Sequence, residues 1–180
     1  MLMHREHGLL LVVDIQEKLA PAILHADTVV ANAAKLIQAA KQLSVPILVS
    51  EQYPKGLGPT VMPLRELLPA EALIEKTYFS CLSEPGFGDR LVKQARAQII
   101  VCGMETHVCV LQTVLGLKAA GYAPMVVADA TSSRSIQSYD LGIARMRDAG
   151  ITVVTTEMVL FEWIGRAATP EFKALLPLIK

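Results

Sequence analysis

Three residues far apart in the sequence make a chemical set: the carboxylate Asp14, the amine Lys76 and the thiol Cys109. A cysteine nucleophile needs a proton acceptor, a charge to hold its anionic forms, and donors for the oxyanion it creates. Asp14 can accept the thiol proton, Lys76 can stabilise both thiolate and carboxylate, and backbone N–H groups at a helix start can face the oxyanion. Cys109 lies in Val-Cys-Gly-Met-Glu-Thr-His-Val-Cys-Val, residues 101–110, where one apolar run ends at Gly103 and another pattern begins at Thr106. That reads as a buried strand turning into a helix, with the cysteine in the first helical turn. Unpaired N–H groups and the helix dipole are expected there to favour thiolate over thiol. Taken singly, Asp14 reads as a turn cap and Lys76 as a strand-end charge. Together beside a helix-start cysteine they have little structural purpose.

The elements that must position these residues alternate regularly. Strands are predicted at Gly8–Val13, Pro46–Ser50, Leu73–Glu75, Gln98–Cys102, Met125–Ala128 and Ile151–Thr155. Helices are predicted from Asp27 or Thr28 to Leu43, Phe87 to Ala97, Thr106 to Ala120 and about Ser135 to Ala149. Gly121 and Gly150 close the last two. The tail from Glu157 to Lys180 reads as mostly helical, broken near Pro170. Residues 53–63, with two prolines besides Pro63 and two glycines, read as an irregular loop. The alternation predicts an α/β fold: three α/β/α layers around a six-stranded parallel sheet, Rossmann-like, with right-handed crossovers. Such sheets bind ligands beyond the carboxyl ends of their strands. The polar residues there are Asp14, Ser50-Glu51-Gln52, Lys76, the segment from Gly103 to Cys109, and Asp129.

Composition narrows the class. A chain of 180 residues, 52% hydrophobic and with zero formal net charge, has room for a large core and no basic stripe for nucleic acid. Mean hydropathy is +0.41, yet no apolar run reaches the roughly 20 residues that cross a bilayer. The apolar excess points to a sheet covered on both faces and to a homo-oligomer, dimer or higher. Cys81, Cys102 and Cys109 show no CxxC spacing, and the N-terminus shows no secretory signal, so a reducing cytoplasm is expected.

Longer blocks carry a resemblance. Leu-Val-Val-Asp14-Ile-Gln16, Glu-Lys76-Thr-Tyr-Phe-Ser80 and Gly103-Met-Glu-Thr106-His-Val-Cys109-Val resemble the three signature blocks of the isochorismatase-like cysteine hydrolases. Val-Val-Ala-Asp129-Ala-Thr-Ser-Ser-Arg134-Ser and Thr-Thr-Glu157-Met-Val-Leu-Phe161-Glu extend it over nearly the whole chain, 1–180, as a single domain. The loop Ser50-Glu-Gln-Tyr-Pro-Lys-Gly-Leu-Gly58 is similar to that of the isochorismatase domain-containing proteins. The resemblance implies Cys109 as nucleophile, Asp14 as general base and Lys76 as third member of the triad. It also implies a cis peptide at Met104–Glu105, with the N–H groups of Glu105 and Cys109 as oxyanion hole. The implied reaction is attack on the carbonyl of a small amide or ureide, through an acyl-enzyme that water cleaves. Nicotinamidase-like members carry an Asp-x-His metal motif after the second strand; Glu51-Gln52-Tyr53 stands there, so neither a metal nor another cofactor is expected.

Position alone marks Gln16, Gln52, Tyr53, Phe79, Thr106 and His107 as substrate-binding candidates, with Thr106 equally explained as a helix N-cap. Cys102 reads as inert core, and Cys81 as core packing beside the pocket. Arg134 and Asp129 are expected in a structural ion pair or subunit contact. Two other functions stay open: a non-catalytic oligomeric scaffold, and vinyl-ether hydrolysis of an isochorismate-type substrate that does not need the thiol.

Overall fold

Gly8–Val13 is apolar and buried at every position, which requires a strand covered on both faces. This strand, β1, lies at the centre of the sheet. The computed structural model describes residues 1–179. In chain order the elements are β1, α1 (Ala26–Gln42), β2 (Ile47–Gln52), α2 (Pro54–Leu57), α3 (Met62–Arg65), β3 (Leu73–Lys76), α4 (Phe87–Lys93), β4 (Gln98–Met104), α5 (Leu111–Ala119), β5 (Ala123–Ser132), α6 (Ile136–Asp148), β6 (Thr152–Val154), α7 (Thr156–Ile164) and α8 (Pro170–Ile179). The six strands form one parallel sheet in the order β3-β2-β1-β4-β5-β6.

Two apolar layers cover the sheet because successive side chains on a strand point to opposite faces. Leu10 and Val12 of β1 pack with Leu36, Ile37 and Ala40 of α1 and with Trp163 of α7. Leu9, Leu11 and Val13 pack on the other face with Phe87 of α4, Val114 and Leu117 of α5, and Met146 of α6. The chain reverses direction across the sheet between β1 and its neighbour β4. At that point the crossovers leave a crevice beyond the carboxyl ends.

The predicted elements are present, with shifted boundaries. The expected loop, residues 53–63, holds the single-turn helix α2 and the start of α3, and Pro54 and Pro63 sit in the first turns where their missing N–H costs nothing. The predicted helix from Thr106 to Ala120 opens as a wide π-type turn, Thr106–Val110, before α5 begins. The fifth strand does not end at Asp129. Its pairing with β4 slips from Val101↔Val126 to Gly103↔Thr131, so β5 bulges between and carries Asp129 outward. Lys180 lies outside the described residues.

Candidate active site

Asp14 follows β1 directly, and its backbone adopts a left-handed conformation, φ 51°. Such a conformation costs on the order of 1–3 kcal/mol in a non-glycine residue and persists only where the surroundings impose it. Here Asp14 donates its backbone N–H to Ser50 O at 3.1 Å, which ties the end of β1 to β2. The side chain is fully buried. Ser50 Oγ donates to Oδ1 at 2.7 Å, and Lys76 Nζ donates to Oδ2 at 2.7 Å.

Lys76 is the last residue of β3 and has no exposed side-chain surface. Its ammonium faces four acceptors: Asp14 Oδ2 at 2.7 Å, Gln52 Oε1 at 2.6 Å, and the carbonyls of Tyr78 and Phe79, both at 3.2 Å. Burying an ion pair is tolerated when the remaining hydrogen-bonding capacity is also filled, and here it is. Burial alone would lower the Lys76 pKa, but the charge and hydrogen bond of Asp14 oppose it, and the amine stays above its ordinary value. Burial likewise lifts the Asp14 carboxyl above the usual carboxylate range, against the opposing pull of Lys76.

Cys109 sits in the π-type turn after β4, and its thiol is within interaction range of Asp14, Lys76 and Cys81. Burial first, and then the Asp14 carboxylate, push its pKa up despite Lys76. The expectation of a resting thiolate is therefore overturned. The turn is not a solvated helix start, and a neighbouring carboxylate disfavours a second negative charge. The resting arrangement is a neutral thiol beside a carboxylate held by an ammonium. Cys109 is 7% exposed, whereas Cys81 and Cys102 have no exposed surface. Burial raises those two thiols as well, Cys81 to about 11 and Cys102 to about 12. Of the three cysteines, Cys109 alone keeps exposed surface.

Backbone shape and a set of short bonds position the turn. The Met104–Glu105 peptide bond is cis, and Gly103 has φ 131°. A Cβ on Gly103 would lie 2.0 Å from Val13 O, so β4 can pass this close to β1 only with glycine. Thr131 Oγ1 donates to Gly103 O at 2.8 Å and pairs with Thr106 Oγ1 at 3.0 Å. Ser133 Oγ meets His107 Nδ1 at 2.9 Å. Glu105 accepts from the Arg134 backbone N–H at 3.2 Å and from Arg134 Nε at 3.0 Å. Residues 131–134 thus hold the turn from one side, and Gly142 of α6 lets that helix approach the backbone of His107 from the other.

Several of the expected substrate-binding residues are hydrogen-bonded within the protein. Gln16 is fully buried. Its amide donates to Gln52 O at 3.0 Å and Gly58 O at 2.6 Å, and its oxygen accepts from Gln52 N at 2.8 Å. It fastens the loop after β2, because an amide carries both donor and acceptor. Gln52 is engaged at both ends, by Lys76 and by Thr77 O at 2.8 Å. Thr106 neither caps the turn nor faces open space; its hydroxyl is taken by Thr131. Tyr53 and Phe79 are exposed, Tyr53 N donating to Lys76 O and Phe79 O accepting from Lys76 Nζ, and His107 is half-buried. Arg134 pairs with Glu105, while Asp129 accepts from Thr156 N and Oγ1, so the two are not partners. Ser50, Thr131 and Ser133 are the supporting residues that had no assigned role; all three lie in blocks the sequence had already marked at strand ends.

Glu51 turns its carboxylate to the backbone N–H and hydroxyl of Thr60, at 2.6 and 2.7 Å. Among the described residues no group of three or more His, Cys, Asp or Glu side chains converges on a metal-sized space, and no helix is long and apolar enough to cross a membrane.

The profile of the isochorismatase domain matches residues 8–158. Isochorismatase domain-containing protein 1 of Salmo salar is 38% identical over 93% of this chain, which spans 59% of that protein's length. Isochorismatase domain-containing protein 2A of Mus musculus is 38% identical over 97% of this chain and 84% of its own. A structure described as MAR1 ribonuclease from Caenorhabditis elegans superimposes with a TM-score of 0.93 at 38% identity, covering 99% of this chain and 92% of that one.

Proposed function

The chain belongs to the isochorismatase family, and from that premise we propose that this hydrolase fold works as a metal-free cysteine hydrolase of a small amide or ureide. The observation that carries the reading is the convergence of the Asp14–Lys76 pair on the thiol of Cys109. Residues 1–180 act as one domain.

Asp14 accepts the thiol proton as the sulfur attacks the carbonyl carbon, so that no free thiolate accumulates beside the carboxylate. The carbonyl electron pair moves to oxygen, where the N–H groups of Glu105 and Cys109 receive it. The C–N bond breaks as the tetrahedral centre collapses, and the leaving nitrogen takes the proton from Asp14. Water then attacks the thioester, giving its proton to Asp14, and the sulfur leaves and is reprotonated. Lys76 keeps its proton throughout. Its role is to hold Asp14 in place and to offset the negative charge that forms at sulfur.

The ribonuclease description belongs to the structural relative and is not proposed for this chain. Its net charge is zero, and the site's ammonium is already surrounded by four protein oxygens. A reducing cytoplasmic setting is in keeping with three free cysteines. Homo-oligomerisation is in keeping with exposed Ile136, Leu141, Met158 and Phe161.

Screening small amides and ureides for amine release tests the reading. Activity abolished in Cys109→Ala supports it. Turnover of an isochorismate-type vinyl ether that survives Cys109→Ala assigns the vinyl-ether chemistry instead, and inactivity on amides, ureides and the vinyl ether leaves the scaffold role.

A further inference from the structure

A second thiol shares the site and has no part in the hydrolysis. Cys81 opens a short turn, Cys81–Ser83, in the segment between β3 and α4. Its backbone N–H donates to Thr113 Oγ1 of α5 at 3.1 Å. Cys109 precedes Thr113 by about one helical turn, and helix side chains lean toward the N-terminus, so the Thr113 hydroxyl holds Cys81 against the turn that carries Cys109. Both sulfurs reach one polar pair. Ser50 and Asp14 are joined at 2.7 Å, Cys81 is within interaction range of both, and Cys109 is within range of Asp14 and of Cys81. The two cysteines also share the apolar layer of Val13 and Leu48. Cys102 belongs to the opposite layer with Val12, so the sheet separates it from both. Cys81 has no exposed surface, whereas Cys109 keeps some, so a small oxidant meets Cys109 first. A thiol held neutral by burial is inert by itself, but Asp14 is placed to take a proton from either one.

We infer that Cys81 is a resolving cysteine: hydrogen peroxide oxidises Cys109, and Cys81 then closes a reversible Cys81–Cys109 disulfide that switches the site off. The inference rests on the Cys109 nucleophile of the acyl-enzyme reading and adds a regulation of that site. The Cys109 sulfur attacks one peroxide oxygen, the O–O bond breaks, and the thiol becomes a sulfenic acid as water leaves. The Cys81 sulfur attacks the sulfenic sulfur while Asp14 takes its proton. The S–O bond breaks, and the departing oxygen collects that proton and leaves as a second water. The two thiols supply the two electrons that peroxide accepts. A dithiol reductant reverses the bond and returns both thiols. Such a bond is transient and regulatory where thiols are otherwise kept reduced, in keeping with three free cysteines.

Peroxide treatment of the folded protein tests it, followed by iodoacetamide on the denatured chain and peptide mass without reductant. The expected product is a linked Cys81–Cys109 peptide, two hydrogens lighter than its parts, with Cys102 alkylated. Dithiothreitol added before the iodoacetamide should return both thiols, and with them the acetylation of Cys109 by p-nitrophenyl acetate. In Cys81→Ser no such link can form. There Cys109 should go on to the sulfinic acid, gaining two oxygens that dithiothreitol does not remove. Recovery of the Cys109 thiol in that variant as complete as in the unsubstituted protein would overturn the inference. So would an unsubstituted protein in which Cys109 reaches the sulfinic acid while Cys81 stays free, or links to Cys102 or to a second chain. Cys109 that resists peroxide yet is acetylated by p-nitrophenyl acetate would overturn the inference and leave the acyl-enzyme reading intact. Inertness of folded Cys109 to both reagents would remove that reading and the inference with it.

Discussion

Asp14 and Asp129 both lie towards the carboxyl edge of one sheet, yet the first is sealed and the second faces water. Asp14 is held by Ser50 and Lys76, in a left-handed backbone conformation, beside a thiol. Asp129 sits in the bulge of β5 and accepts from Thr156 N and Oγ1, which satisfies an N–H at the first turn of α7. The same residue type at the same kind of position is thus a proton acceptor in one place and a helix cap in the other. The difference lies in the neighbours. At the switch between β1 and β4 the crossovers part and a carboxylate finds a buried cation; at β5 a helix starts on top of it.

The largest break in the comparison comes from removing the carboxylate charges. Asp14→Asn should lower turnover about a thousandfold, within the range for a lost general base, while Asp129→Asn leaves it nearly unchanged. Both are read on whichever amide or ureide the screen returns. Lys76→Met leaves the buried carboxylate without its partner and should cost about 3–5 kcal/mol in urea denaturation; the Asp129 region has no ion pair to lose in that way. Gly142→Ala introduces a Cβ 3.1 Å from the Cα of His107. It should shift the turn by tenths of an ångström and reduce kcat more than the thermal midpoint.

The pH profile sharpens the contrast further. Only ionised Asp14 can take the thiol proton, so kcat/KM falls as pH drops through its pKa. Burial places that acid limb above the ordinary carboxylate range. Ser50→Ala deletes a hydrogen bond that holds the value down, so the limb should move to higher pH still. Lys76 stays protonated beyond its ordinary value and adds no limb in the neutral range. The smallest effect is at β5: Asp129→Ala should lose about 1 kcal/mol through the cap and nothing in kcat.

Much of this was legible before any coordinates. Alternating apolar runs and helical spacings gave the parallel sheet, since strand burial on both faces leaves a continuous apolar signature that depends on no partner. Asp14, Lys76 and Cys109 were legible because each closes a strand or opens the segment after one. What escaped depends on distances across the chain. Nothing local in Gln16 or Gln52 tells whether an amide faces ligand or backbone. Nothing in the segment from Gly103 to Cys109 showed that the turn would be buried deeply enough to hold the cysteine as a thiol. The bulge in β5, which carries Asp129 away from the crevice, likewise arises from pairing with β4 and leaves no mark in the order of residues.

The central claim is that the sulfur of Cys109 carries the acyl group. p-Nitrophenyl acetate, a neutral activated ester, tests it by intact and peptide mass on enzyme quenched within the first turnovers. The account predicts a release of p-nitrophenolate stoichiometric with enzyme and an acetyl group on the Cys109 peptide, with none on Cys81 or Cys102. Steady hydrolysis with Cys109 unmodified, or an acetyl group on another cysteine, would contradict it.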